Sequence, residues 1–355
     1  MNNLFDFATG ELSQDAVLCW CVNWLNYKDS ELYPLAKDML KLLCPQLTIS
    51  DNEEVVIIRQ WYKTDILLYL KESSSAIIVE DKVYTSEHDN QIQTYVNKIN
   101  SISEREKAEK QINNISAERL CTTYLKTGFL YDYDKKVKAN ATVGCIQLLD
   151  IINKYKDLNI ILSYFAEHLK GILEWYEKHG EINMNNVRDH QIAQYNLMRY
   201  IFPESLWNRS GVLYEVYHGS NRGGRPWTEM VIYKGVLTDG RTYHIFWRID
   251  TDSNGPYMSL RLYDGAMDKS NGKHKSMHYE LFDYYQNICK SICSKMTDIS
   301  WDDIKYRETR NYKESTLARF DLSDIISNWN DRSDIFKAII LEYSNNFLKE
   351  CQICL

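Results

Sequence analysis

The stretch Ala76-Ile-Ile-Val-Glu80-Asp81-Lys82 is an apolar, mostly β-branched run that ends in two carboxylates and a lysine. It reads as a buried strand carrying charge to its end, where charge serves chemistry more often than stability. Thr64-Asp65-Ile-Leu-Leu-Tyr-Leu70 reads as the preceding strand, and Lys71-Glu-Ser-Ser74 as the polar turn between them. A four-residue loop sets Asp65 opposite Glu80. Facing residues on an antiparallel pair have Cβ atoms roughly 4.5–5.5 Å apart, so two carboxylates there repel unless a cation lies between them. A hard divalent ion such as Mg²⁺, with oxygen ligands at about 2.1 Å, fits that gap. Lys82 shares a strand face with Glu80, because side chains alternate with period two, and points toward the same centre.

Downstream, Ser86-Glu-His-Asp89 reads as a helix N-terminus with Ser86 as N-cap, opening a helix over 86–100. Gln91 and Tyr95 lie four apart on one face of it. The chain holds three (Asp/Glu)-x-Lys triplets, at 80–82, 134–136 and 303–305, and only the first ends an apolar strand with an acidic partner one hairpin earlier.

Asp65, the Glu80-x-Lys82 triplet and Gln91-x-x-x-Tyr95 resemble the PD-(D/E)XK nuclease superfamily, in its branch with a RecB-like Q-x-x-x-Y helix. Glu11-Leu-Ser-Gln-Asp-Ala-Val-Leu-Cys-Trp20 is similar to the first helix of a bacterial family within it, which begins with a glutamate and carries a tryptophan nine positions on. The resemblance covers about the first half of the chain, and departs from the usual motif at Thr64, where proline is common. It implies a metal-dependent phosphodiesterase. Asp65 and Glu80 would hold Mg²⁺ or Mn²⁺, with Glu11 and the backbone carbonyl of Asp81 extending the site. Lys82 would act on the water or the phosphate, and Gln91 and Tyr95 would orient the substrate backbone. DNA is the implied substrate, with RNA left open, in phage defence, restriction or repair. The local reading of Glu11, favourable charge just before a helix capped at Ser13, stands beside the ligand role; Asp15 takes the helix-dipole role alone.

The 355 residues are 44% hydrophobic and 26% charged, which is a globular composition with room for two domains. No run approaches the roughly 18 apolar residues of a membrane-spanning helix, and the N-terminus lacks a signal pattern, so a soluble cytoplasmic protein without membrane partners is expected. Nine scattered cysteines fit reduced thiols. A net charge of −7 argues against wrapping nucleic acid over the whole surface but leaves room for one basic groove.

The expected fold is α/β (α+β). The resemblance implies a restriction-endonuclease-like core with a mixed sheet over residues 1–180, and the element order beyond it predicts an α+β C-terminal domain with an antiparallel sheet over 185–355, for recognition or regulation. In the first, helices are expected at 13–27, 33–43, 148–155 and 159–178, and strands at 54–62, 64–70, 76–84, 119–125 and 143–148. Lys126, at the end of the 119–125 strand, could touch a phosphate in a nuclease, but an exposed strand-end lysine is the preferred reading. The run Lys178-His-Gly-Glu-Ile-Asn marks the boundary. Beyond it, a helix at 187–201 leads into strands at 212–217, 228–236, 242–249 and 256–263, then helices at 278–295 and 322–350. Arg222, Arg225 and Trp227, around two glycines, read equally as a nucleic-acid contact that stacks a base or as a tight hairpin loop. The sequence leaves open homo-oligomerisation and an activating partner. The rival to an enzyme is a catalytically inactive nucleic-acid-binding or regulatory protein on a nuclease fold.

Overall fold

The strand pair that carries Asp65 and Glu80 forms as its alternation dictates. In the computed structural model, β1 (Val55–Trp61), β2 (Thr64–Leu70) and β3 (Ser75–Lys82) make two consecutive hairpins, and Ile66 pairs with Val79 while Leu70 pairs with Ser75. Extended by one residue, that register sets Asp65 against Glu80. The structure describes residues 3–8, 10–86, 90–112, 115, 117–206, 215–221, 223–268, 270–295 and 313–353. The chain folds as two compact units, Met1–Glu177 and Lys178–Leu355.

The sheet of the first unit runs β1-β2-β3-β4-β5, with β4 at Leu120–Lys126 and β5 at Ala141–Gly144. The β3/β4 and β4/β5 pairs are parallel. β3 is therefore central and buried along its whole length, which explains why its apolar run does not alternate with polar residues. One face, carrying Ile66, Leu68, Ile77 and Val79, packs on a core built with α1 (Glu11–Asn23), α2 (Tyr33–Leu43), α5 (Cys145–Tyr155) and α6 (Ile160–Gly180). The other, carrying Leu67, Tyr69, Ala76 and Ile78, meets Tyr95 and Ile99 of α3 (Gln91–Asn100). Glu53, fully buried, anchors the hairpin turn by accepting hydrogen bonds from the backbone N–H groups of Glu72 (2.8 Å) and Ser73 (3.1 Å).

Several local expectations need correction. α3 starts at Gln91 after Asn90, whose left-handed backbone (φ 55°) sets the entry, so Ser86 is not its N-cap. α1 starts at Glu11 with Gly10 as N-cap, which puts Glu11 in the first turn. The expected strand at 143–148 breaks at Gly144, and α5 takes over from Cys145. The mixed-charge run after α3 holds a short exposed helix, α4 (Glu104–Glu109), closed by a Ser103/Glu106 capping box.

In the second unit, α7 (Met184–Asp189) and α8 (Gln191–Ile201) replace one helix, because His190 is extended between them. An antiparallel sheet follows in the order β10-β9-β8-β7-β6, from β6 (Glu215–Ser220), β7 (Pro226–Val236), β8 (Thr242–Asp252), β9 (Gly255–Tyr263) and β10 (Glu314–Asp321). The expected strand at 212–217 falls partly outside the described residues. Its apolar face is covered by helices that include α9 (Gly272–Lys295) and α11 (Trp329–Ile353), the latter preceded by the short α10 (Ser323–Ser327). Trp247, fully buried, fixes that packing by donating from Nε1 to Ser344 Oγ at 2.8 Å. Among the described residues no helix is long and apolar enough to cross a membrane.

Candidate active site

Period-two alternation directs Asp65, Glu80 and Lys82 to the α3 face of the first sheet, at the end where β2 begins and β3 finishes. Lys82 Nζ lies 2.5 Å from Glu80 Oε1 and 3.5 Å from Asp65 Oδ2. Asp65 Oδ2 also accepts the backbone N–H of Asp81 at 3.1 Å, which pins that carboxylate across the hairpin. Glu80 is fully buried, and among the described residues neither of its oxygens accepts a well-directed hydrogen bond.

Burial and then the neighbouring Asp65 charge push the Glu80 carboxyl up to about 7, against the opposing pull of Lys82. Burial works against the Lys82 ammonium. The carboxylates of Glu80, Asp65 and Glu11 outweigh it and hold the lysine above its ordinary range. The site therefore pairs a lysine that its neighbours favour as a cation with a carboxyl whose burial favours the protonated form more than an exposed glutamate's does.

Asp81 points the other way. Its carboxyl enters the α1 face, where Gln14 Nε2 donates to Oδ1 at 2.5 Å and Asp15 lies within hydrogen-bond reach. Burial raises both acids, Asp15 to about 6 and Asp81 well above the carboxylate range; the Asp65 charge adds to the rise at Asp15 and the Asp15 charge to that at Asp81, while the hydrogen bond with Asp81 pulls Asp15 back, so the pair favours holding a proton. Asp15 is thus a buried partner of Asp81, not an exposed charge serving the helix dipole. Gln14 links this pair to β4, accepting from Thr127 Oγ1 at 2.6 Å.

Glu11 stands at the strand end. Its Oε1 accepts from the Val83 N–H at 3.2 Å and from Thr85 Oγ1 at 2.9 Å. Gln91 and Tyr95 lie on the helix packed against the Glu80 face, with Gln91 Nε2 donating to Tyr95 Oη at 3.4 Å; the Tyr95 ring is buried against the sheet. Among the described residues no three His, Cys, Asp or Glu side chains group as a metal site. The adjoining pair of Asp65 and Glu80 nevertheless fits a hard cation, since a buried carboxylate with unsatisfied oxygens beside a second carboxylate is a place for positive charge. In this structure Lys82 supplies that charge.

The preferred reading of Lys126 as an exposed strand-end lysine is overturned. Lys126 pairs in register with Lys82 across the parallel strands and is 1% exposed. Its ammonium meets Asp134 Oδ2 at 2.7 Å, donates to Ser86 Oγ at 2.8 Å and lies 5.1 Å from the centre of the Tyr131 ring. Asp134, fully buried, also accepts from Tyr124 Oη at 2.7 Å and from the Tyr131 N–H at 2.9 Å. Burial lowers the Lys126 pKa, although Asp134 opposes that. The signal was present: both strands end in lysine, and an aspartate follows eight residues after the second.

The proposed nucleic-acid contact lies in the second unit. Arg222 falls outside the described residues. Arg225 is exposed in the hairpin loop, where its carbonyl accepts the Asn221 N–H at 2.8 Å and Gly224 takes a left-handed φ of 76°. Trp227 is half-buried, with its ring against Gly219 and the Arg248 guanidinium 4.7 Å from the ring centre, so one stacking face is already taken. Around it runs a charged network. Arg248 donates from Nε to Asp250 (3.2 Å), from Nη1 to Glu229 (2.9 Å) and from Nη2 to Asn221 (3.1 Å). Arg261 donates to Ser259 (2.7 Å), Tyr257 (3.2 Å) and Glu314. Compared with known proteins, the chain matches no family model, no curated relative and no solved structure.

Proposed function

We propose that the first unit hydrolyses phosphodiester bonds in nucleic acid, with DNA as the expected substrate. The observation that carries this reading is the convergence of Asp65, Glu80 and Lys82 on one sheet face at a strand end, beside the helix that bears Gln91 and Tyr95. Asp65 and Glu80 would hold Mg²⁺ or Mn²⁺, with Glu11 and the Asp81 carbonyl extending the set as the PD-(D/E)XK resemblance implies. Such an ion lowers the pKa of water and offsets charge building on the attacked phosphorus.

The chain's own residues divide the remaining work. Lys82, held cationic by its carboxylate neighbours, neutralises the attacked phosphate and is a poor proton acceptor. Glu80, with a pKa near 7, takes up or releases a proton as the site gains or loses positive charge. Gln91 and Tyr95 orient the substrate backbone. The second unit would choose or regulate the target, a role that rests on analogy with defence, restriction and repair nucleases.

The test is cleavage of labelled plasmid, linear duplex, single-stranded DNA and RNA with Mg²⁺ or Mn²⁺, comparing wild type with Lys82→Ala. Metal-dependent cutting that the substitution abolishes is the expected result. The position of Lys82 between the carboxylates favours one rival, an inactive binding scaffold held by a salt-bridged network. Absence of cutting on every substrate, together with no rise in Tm on adding either metal, would select that scaffold, since an ion bound only to the folded state must stabilise it.

A further inference from the structure

Beyond the C-terminal end of β3 lies a cavity of about 560 Å³, whose lining includes Asp6, Tyr84, Glu167, Gly171, Trp175 and Tyr176. Small-molecule sites span roughly 300–1,000 Å³. Tyr84 stands two residues past Lys82 in the chain, and the cavity shares no residue with the cluster of Asp65, Glu80 and Lys82.

Its lining is aromatic and acidic. Trp175 is 47% exposed and Tyr84 64% exposed, which leaves both rings able to meet a ligand. Tyr176 is held in place, its hydroxyl bonded to the Phe129 backbone and its ring edge-on to Trp175 at 5.0 Å. Asp6 and Glu167 supply two carboxylates, and among the described residues no lysine or arginine lines the space. His168, also in the lining, does not offset them, because burial lowers its pKa and keeps it neutral at pH 7. Glu167 accepts a long hydrogen bond, 3.5 Å, from Asn3 Nδ2.

Gly171 is an independent sign. It sits inside the 21-residue helix α6, where glycine is less favourable than alanine. A Cβ added there would meet nothing within 4 Å, and the residue is not among the positive-φ glycines. Neither close packing nor backbone conformation calls for glycine at this position. The missing side chain leaves room in the cavity.

We propose that this cavity binds a small organic cation, a quaternary ammonium or a polyamine, with its charged head on the Trp175 and Tyr84 rings and its charge met by Asp6 and Glu167. A cation is attracted to the face of an aromatic ring within about 6 Å of its centre, and carboxylates nearby add to that attraction. An anion would meet two like charges. Binding requires no turnover, so this site stands or falls apart from the phosphodiesterase reading.

The test is calorimetric titration of the full chain with choline, spermidine and 3,3-dimethylbutan-1-ol, the neutral isostere of choline. At least one of the two cations should bind with a Kd of about 1 mM or tighter, and the neutral isostere at least tenfold more weakly than choline. Gly171→Leu fills the space and should abolish binding while leaving Tm unchanged or raised. The paired substitution Asp6→Asn with Glu167→Gln, at two exposed positions, should weaken binding at least tenfold and keeps the test sound if the leucine variant misfolds. No binding of either cation at 10 mM (a working ceiling about tenfold above the expected Kd), equal binding of the isostere and choline, or full binding by the paired variant would each overturn the proposal.

Discussion

Each unit buries a charged cluster on one face of its sheet, and the two clusters differ in how completely they are satisfied. In the second unit every guanidinium nitrogen of Arg248 and Arg261 has a hydrogen-bond acceptor from Glu229, Asp250, Asn221, Ser259, Tyr257 or Glu314. In the first, one lysine serves two carboxylates, and Glu80 keeps oxygens without a directed partner among the described residues. A saturated network has nothing left to offer a ligand and acts to fix strand register. An unsaturated one keeps a desolvation penalty that added positive charge or a proton would offset. Arg225 lies exposed in a hairpin loop outside this network, while Arg248 and Arg261 are committed within the fold.

The largest effect should come from breaking the saturated network. Arg248→Ala removes three directed hydrogen bonds at once, strips Glu229 of its ion-pair partner and leaves Asp250 with Arg261 at 3.6 Å, and removal of one partner of a buried pair costs about 3–5 kcal/mol. Denaturant unfolding should show that loss, while cleavage measured at a temperature where the variant is folded stays near the wild-type rate. A loss of cleavage without a loss of stability would reverse the assignment of the two clusters.

Lys82→Ala should do the opposite. On the proposed phosphodiesterase reading Lys82 meets the attacked phosphate, and removing such a charge typically costs about 10²–10³ in rate, whereas the Glu80 carboxyl, with its pKa raised to about 7, can take up a proton in place of the lost cation. Stability should therefore change by only about 1–2 kcal/mol. Single-turnover cleavage and denaturant unfolding on the same preparation separate the two effects.

Glu229 sharpens the comparison through pH. Burial raises its pKa to about 7 despite Arg248, above the ordinary glutamate value of about 4.5 expected on unfolding. A raised carboxyl contributes stability that is full below pH 4.5 and is lost as pH rises through 7. Glu229→Gln cannot ionise. Its stability relative to wild type should improve between pH 5 and pH 8 by about 1–3 kcal/mol, read as Tm differences across that range. A gap that does not change with pH would mean that Arg248 keeps Glu229 ionised throughout.

What could be read in advance follows the same division between local and distant causes. The β2–β3 hairpin, its register and α2 at Tyr33–Leu43 were legible because alternation, turn composition and helical spacing are local. β10 was not. A bulge between Thr316 and Ala318 breaks its period, so Leu317 and Ala318 are both fully buried, and its partner β9 lies across a 24-residue helix. Lys126 looked like an exposed strand end because the aspartate eight residues on shows neither that the chain turns back over it nor that Ser86, 40 residues earlier, joins Asp134 there. Asp65, Glu80 and Lys82 were legible as a cluster from strand periodicity, but the opposite orientation of Asp81, and its pairing with Asp15, required the helix α1 to be placed against the sheet.

The smallest expected effect lies at the turn between β1 and β2, next to the hairpin that carries Asp65 and Glu80. Tyr62 and Lys63 both adopt left-handed backbones, with φ of 53° and 68°, as a two-residue hairpin turn requires, yet neither is glycine, asparagine or aspartate. The left-handed conformation costs a residue with a Cβ about 1–2 kcal/mol. Tyr62 has compensation, since its hydroxyl bonds Glu106 and the Lys98 ammonium lies 4.2 Å from its ring centre. Lys63→Gly removes the strain at the second position and gives back part of the gain as unfolded-chain entropy, so a net stabilisation of about 0.5–1 kcal/mol should appear in denaturant unfolding. Because this turn leads directly into Thr64 and Asp65, the same variant also tests how rigidly the site is held. Unchanged cleavage with raised stability would mean that Asp65 is positioned by its bond from the Asp81 N–H and by Lys82, whereas slower cleavage would place part of that positioning in the strained turn.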